Sequence, residues 1–255
     1  MISTDPSLWI IRPKPNERAR VRLYCFPFAG GAASIFHTWP HLFPTDIELC
    51  AIELPGRGRR IKEPLVKRLA PLVEATAAAL QPDLDRPFAF FGHSMGALLC
   101  FELTRCLRRH NQPLPKLLAV SGRKSPQLST SPPFIHTLPE PEFWAAIKQL
   151  GGTARAVFEN EEMRQLFFPI MRADFTMIET YAYVPEARLD CAIAAYAGCR
   201  DPEVSQEQLE AWKMQTSKSF SMELFPGDHF YIDSSLKVLV NSLANQIGNV
   251  LSLEK

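Results

Sequence analysis

The sequence predicts an α/β fold in which a mostly parallel central sheet is flanked by helices and carries an inserted helical segment. Three observations predict it. Short apolar runs recur along the chain with helical patterns between them. The runs are near-continuously apolar rather than alternating, which suits strands covered on both faces. From about Ser125 to Val184 the alternation stops, and helical patterns alone follow a Pro-rich connection.

The expected strands are Val21 to Phe26, Ile47 to Ile52, Phe88 to Phe91, Leu117 to Ser121, Cys191 to Tyr196 and Phe220 to Leu224, most of them bounded by Gly, Pro or charged residues. Met95 to Arg109 reads as a helix, with Ala97, Leu98, Phe101 and Leu107 for packing. Arg105, Arg108 and Arg109 lie toward its C-terminal end, where positive charge is favourable. Within the insertion, Phe143, Ile147 and Leu150 give a stripe over Glu142 to Leu150. Met163, Leu166, Phe167, Ile170 and Met171 give another over Glu161 to Tyr181, with Pro169 expected to kink or divide that helix. Ile232, Leu236, Leu239, Val240, Leu243 and Ile247 mark a final amphipathic helix. The expected organisation is a core of residues 1–124 and 185–255 with a helical lid at 125–184, a position from which inserted segments commonly cover a site.

At 255 residues the chain is of a size for one large domain with a substantial core. The 28 Lys+Arg and 27 Asp+Glu leave a formal charge of +1, which gives no support to a general nucleic-acid surface. Six scattered cysteines have neither Cys-x-x-Cys pairing nor zinc-ligand spacing, so buried free thiols in a reducing cytoplasm are expected. The first residues lack a basic segment followed by an apolar one, and no stretch reaches 18 apolar residues. Neither secretion nor membrane spanning is expected, and the cytoplasm is the expected location.

The chemistry begins where Phe88 to Phe91 runs into Gly92-His93-Ser94-Met95-Gly96 and then into a helix. That is the setting of a nucleophile elbow, a strained turn that presents a serine above a helix N-terminus, as in the α/β-hydrolase fold. A hydroxyl needs a base, and the base needs an orienting group. Of six histidines, His229 lies in the loop after the last strand and before the last helix, at the sheet edge that carries the serine. Asp201 follows the preceding strand at the same edge; Asp190 lies at the wrong end, Asp174 in the insertion, and Asp228 beside His229 is badly placed to reach its ring. Ser94, Asp201 and His229 are therefore the expected triad, with the Met95 N–H as one oxyanion donor. The second donor is expected from Phe26-Pro27-Phe28-Ala29-Gly30-Gly31, at Ala29 with Gly30 as the alternative. This chemistry has no task for a metal or organic cofactor.

The triad alone leaves ester, thioester and amide substrates open. An ordered set of segments narrows this: Phe26 to Gly31, Leu54-Pro55-Gly56-Arg57-Gly58-x-Arg60, Gly92 to Gly96, Ser121-Gly122-Arg123, Leu150-Gly151-Gly152, Pro169-x-x-Arg172-Ala173-Asp174-Phe175, Trp212-x-x-x-Thr216 and Gly227-Asp228-His229-Phe230. With these the chain resembles the type II, external thioesterases of nonribosomal peptide and polyketide assembly lines, themselves similar to medium-chain fatty-acyl thioesterases. Asp228 departs from the pattern, standing where some members have a second glycine.

The resemblance implies hydrolysis of stalled or misprimed acyl groups from the phosphopantetheine arm of acyl or peptidyl carrier protein domains, by a monomer. It implies triad roles for Ser94, Asp201 and His229, and oxyanion donors at Met95 and the Ala29 region. It also makes sense of a channel between core and lid, whose apolar end Phe28, Trp39, Phe143, Phe167 and Phe175 are expected to line. Acidic carrier domains are expected to meet Arg57, Arg59, Arg60 or Arg105; the alternatives are ordinary solvated faces or, for Arg57-Gly58-Arg59-Arg60, a braced loop. A small-molecule carboxylesterase, an acyltransferase and a noncatalytic carrier-binding scaffold are the alternatives.

Overall fold

The computed structural model describes residues 2–128, 132–151 and 155–252, with only the backbone of residues 155 and 156; Gly152 of the Leu150-Gly151-Gly152 segment lies outside them. In chain order the helices and strands are α1 (Pro6–Trp9), β1 (Ile10–Ile11), β2 (Val21–Phe26), β3 (Ile47–Ile52), α2 (Leu69–Leu80), β4 (Phe88–His93), α3 (Met95–Arg109) and β5 (Leu117–Ser121). They continue as α4 (Glu140–Leu150), α5 (Arg155–Glu159), α6 (Glu161–Glu179), β6 (Ala192–Gly198), α7 (Gln206–Glu210), β7 (Phe220–Phe225), α8 (Tyr231–Ser234) and α9 (Leu236–Ser252).

The strands form one sheet in the order β1-β3-β2-β4-β5-β6-β7, parallel throughout except for β1, which runs antiparallel to β3. The near-continuous apolarity of β2 to β6 has its reason in two covered faces. Tyr24, Phe26, Phe88, Phe90, Leu118 and Val120 face one core together with α2, α3 and the α4–α6 insertion. Their neighbours Leu23, Cys25, Ala89, Phe91, Leu117 and Ala119 face the other, with α9 and the segment around Phe36 and Trp39. Each fully buried phenylalanine in these layers contributes roughly 1.5–3 kcal/mol of hydrophobic stabilisation relative to an exposed one.

Two expectations change. Pro169 does not divide its helix, since α6 runs unbroken from Glu161 to Glu179 through it. The C-terminal arginines of α3 do more than complement a helix end: Arg105, Arg108 and Arg109 all reach Glu186 at 2.6 to 2.9 Å, tying the chain that returns from the insertion to the helix beneath. Among the described residues no helix is long and apolar enough to cross a membrane.

Candidate active site

Ser94 stands between β4 and α3 with φ 52° and ψ −110°, the backbone strain of a sharp elbow at a non-glycine residue. Its own N–H donates to the Ser121 carbonyl at 2.7 Å, so the turn is pinned to the end of β5. The flanking glycines are required by packing: a Cβ at Gly92 would overlap the Gly96 carbonyl, and one at Gly96 would overlap that of Phe26. Met95 opens α3, and the N–H of a first helical residue has no partner within the helix.

Two loops are knitted together to bring up the other groups. Cys199 N–H donates to the Phe225 carbonyl at 2.8 Å and Arg200 N–H to that of Gly227 at 2.9 Å, so the chain after β6 rests on the chain after β7. This sets Asp201 Oδ2 2.8 Å from His229 Nδ1, with both side chains buried. Asp201 Oδ1 accepts from the Glu203 N–H, which fixes the carboxylate plane. With Nδ1 engaged, Nε2 is the nitrogen of His229 left to act on another group. Ser94 and His229 line the same cavity, of about 160 Å³. Asp228 turns instead to its own loop and accepts the Phe230 N–H at 2.9 Å.

The second donor region is a turn closed by Gly31 N–H on the Phe28 carbonyl at 2.9 Å, with Gly30 at φ +79°. Gly30 N–H is committed to Asp174 Oδ2 at 2.7 Å, so the alternative placed on Gly30 falls away. Ala29 lines the cavity, and its N–H has no hydrogen-bond partner among the described residues.

The expected channel residues divide. Phe28 and Phe175 line the cavity. Trp39 does not: it is buried on the opposite face of the sheet against Phe36 and Phe91. Phe143 is packed edge-on to Trp144, Phe168 and Phe175 inside the insertion, and Phe167 packs against that core without reaching the cavity. The apolar wall comes instead from Ile135, Ile147, Leu150, Met171, Ile178, Val204 and Phe230. Helical periodicity marks which insertion residues are buried, but a cavity wall and a helix–helix contact use the same residue types at the same spacing.

Charged groups also line this cavity, unforeseen in the sequence: Arg123, Lys124, Glu179 and Glu203. Glu179 is occupied by the N–H groups of Ile135 and His136 and by His136 Nδ1. Burial pulls the Arg123 guanidinium below its ordinary value, against the opposing influence of Tyr181, Glu203 and Glu179. Arg123 ends the Ser121-Gly122-Arg123 segment, which carries part of the family resemblance but no sign of a cavity wall.

Three of the four arginines proposed for docking are braces. Arg57 is buried in a bidentate ion pair with Asp174, both bonds 2.7 Å. Arg60 lies over the Trp9 ring, pairs with Glu63 and donates to the Glu53 carbonyl. Arg105 is buried between Glu102 and Glu186. Arg59 is exposed.

His93, adjacent to the serine, turns into the protein. Its Nδ1 lies 2.8 Å from Ser121 Oγ, which lies 2.6 Å from the Tyr231 hydroxyl, and its ring centroid is 5.0 Å from that of His229. Burial first, and then the neighbouring His229, hold its pKa well below the usual histidine value.

Residues 21–247 match the family model described as a thioesterase domain. The gramicidin S biosynthesis protein GrsT of Aneurinibacillus migulanus is 40% identical over 244 residues, covering 96% of this chain and 95% of that protein. The thioesterase RedJ from the prodiginine pathway of Streptomyces coelicolor superposes with a TM-score of 0.86 at 36% identity, over 91% of this chain and 88% of RedJ. The type II thioesterase BorB from the borrelidin cluster gives 0.86 at 32% identity, over 96% of this chain and 99% of BorB.

Proposed function

The chain belongs to the thioesterase family, as a type II thioesterase of α/β-hydrolase fold, and from that premise we propose that it clears acyl groups from the phosphopantetheine arm of carrier protein domains. The observation that carries the reading is the buried Asp201–His229 pair, which opens onto the same cavity as a serine held in a strained elbow.

Ser94 Oγ attacks the thioester carbonyl while His229 Nε2 takes its proton. The C–S bond then breaks, and the leaving thiolate recovers that proton from His229. Water repeats the sequence at the Ser94 ester, releasing a carboxylic acid and the free serine. Asp201 holds the imidazole in the tautomer with its proton on Nδ1 and stabilises the imidazolium formed between the two transfers. Met95 and Ala29 N–H groups receive the oxyanion, each worth on the order of 3 kcal/mol in the transition state.

In this reading residues 125–184 act as a lid, with Ile147, Leu150, Met171 and Ile178 forming the roof of the acyl cavity. The partner is an acyl or peptidyl carrier domain of a synthase, and Arg59 remains to meet its acidic surface. The phosphopantetheine arm arrives with the substrate.

The test compares release of one acyl group from a carrier domain, from coenzyme A and from a matched oxygen ester. Wild-type protein is expected to favour the carrier-bound thioester, and Ser94→Ala to abolish release while remaining folded. Equal rates on carrier and oxygen ester would replace this reading with that of a small-molecule esterase.

A further inference from the structure

Asp174 sits on α6, inside the insertion, yet its carboxylate reaches out of that segment to two others. Oδ2 accepts from the Gly30 N–H and from Arg57 Nη1, and Oδ1 from Arg57 Nη2, all at 2.7 Å. Arg57 Nη1 also donates to the Gly31 carbonyl at 3.1 Å. The ion pair therefore grips the turn from both sides, by the N–H of Gly30 and by the carbonyl of Gly31.

The geometry of that turn gives the grip its meaning. Gly31 N–H closes onto the Phe28 carbonyl, and Gly30 has the positive φ that a type II turn requires at its third residue. The Ala29 N–H lies one peptide before the bonded Gly30 N–H on the same closed turn, so the Asp174 bond to Gly30 and the Arg57 bond to the Gly31 carbonyl fix the place of the whole turn that carries it. A Cβ at Gly30 would meet Met171 Cγ, also on α6, at 3.0 Å, so the helix and the turn are in direct contact. Asp174 itself is 1% exposed, so these bonds are shielded from bulk solvent.

We propose that Asp174 is a positioning residue that couples the seating of α6 to the oxyanion site, locking the Phe28–Gly31 turn so that the Ala29 N–H faces the cavity. Arg57 holds the carboxylate in place and serves the same end. The assignment rests on the reading of Ala29 as an oxyanion donor. Displacement of α6 withdraws the acceptor from Gly30 and releases the turn, so an open insertion has a disabled oxyanion site.

The test uses Asp174→Ser, whose hydroxyl is too short to reach Gly30 and whose lost volume lets water solvate Arg57, and Asp174→Asn, which retains an acceptor oxygen. Hydrolysis of an acyl-pantetheine, affinity for an alkyl boronate that forms a tetrahedral adduct on Ser94, and thermal unfolding are measured for both. Asp174→Ser is expected to lose kcat by about 30-fold or more, toward the range for removal of one oxyanion donor, with KM within threefold. Boronate affinity should fall in parallel, and Asp174→Asn should recover most of the kcat. If Asp174→Ser does not fold, Arg57→Lys, which keeps the charge and loses the bidentate grip, is expected to show the same split between kcat and KM. A folded Asp174→Ser or Arg57→Lys protein with kcat within twofold of wild type, or with kcat and boronate affinity uncoupled, would overturn the assignment. Failure of the boronate to bind wild-type protein would count against the serine-hydrolase reading itself.

Discussion

Replacing His93 by Gln should remove a pH dependence of stability whose size follows from its surroundings. The ring is fully buried, engages Ser121 and lies beside His229, and both burial and that neighbour hold it well below a pKa of 6.5. An unfolded chain binds a proton at this residue as pH falls through about 6.5, while the folded protein does not. The sign follows: stability from the neutral ring is fully present above about 6.5 and is lost as pH falls below that value toward the depressed folded pKa. The limiting slope is about 1.4 kcal/mol per pH unit, so between pH 7.5 and 5.0 this residue alone removes about 2 kcal/mol. Urea unfolding of wild type and His93→Gln at both pH values isolates the effect, because every other titrating group is common to the two. Wild type should lose about 2 kcal/mol more than the variant on acidification, at unchanged m-values. Equal losses would mean that the folded ring titrates like an unfolded one, and the buried chain from His93 through Ser121 to Tyr231 would need redrawing.

The Arg57–Asp174 pair should respond unequally to single and double replacement. Asp174→Leu strands a buried guanidinium and is expected to cost about 3–5 kcal/mol, whereas Arg57→Met with Asp174→Leu should recover most of that stability while still lacking the acceptor for Gly30; urea unfolding of the set measures both. Thiol titration of the native protein should find one of six cysteines fast, Cys199, which is exposed. The others are buried, with burial pushing Cys50 and Cys191 up to about 12 and Cys106 to about 11, and they should react only after unfolding.

Much of this arrangement is legible in the amino-acid sequence. The strands from β2 to β6 announce themselves because short, near-continuous apolar runs have few other uses in a chain with this alternation, while β7 shows through the alternating apolar residues of its Phe-Ser-Met-Glu-Leu-Phe sequence. The span of α3 is legible to its end residues because a glycine-flanked serine and a cluster of arginines bracket it. Strand β1 is not legible, since two isoleucines carry no periodicity, and α2 is hard to see because Leu69 to Leu80 is largely alanine and other apolar residues without a sharp polar face. In the site, chain order and loop position brought Ser94, Asp201 and His229 to one end of the sheet. The cavity wall was less legible, as Trp39, Phe143 and Phe167 show: size and apolarity say that a ring is buried, and the tertiary fold decides against what. The arginines followed the same logic. A sequence reports their charge, while only the fold reveals the carboxylates of Asp174, Glu63 and Glu186 waiting for them.

The α4–α6 insertion joins Ser121 at the end of β5 to Ala192 at the start of β6, two neighbouring parallel strands. A parallel pair needs a return path across the sheet whatever else the connection does, and about a dozen residues suffice for it. Most of this connection is thus free of the duty of closing the topology. Its length and composition can drift between descendants without shifting the β5–β6 register, so selection can remould the acyl cavity from above while the catalytic edge below inherits its geometry intact. If Asp174 positions the oxyanion turn as proposed, the constraint on that freedom is small and local: whatever replaces α6 must still offer an acceptor to Gly30.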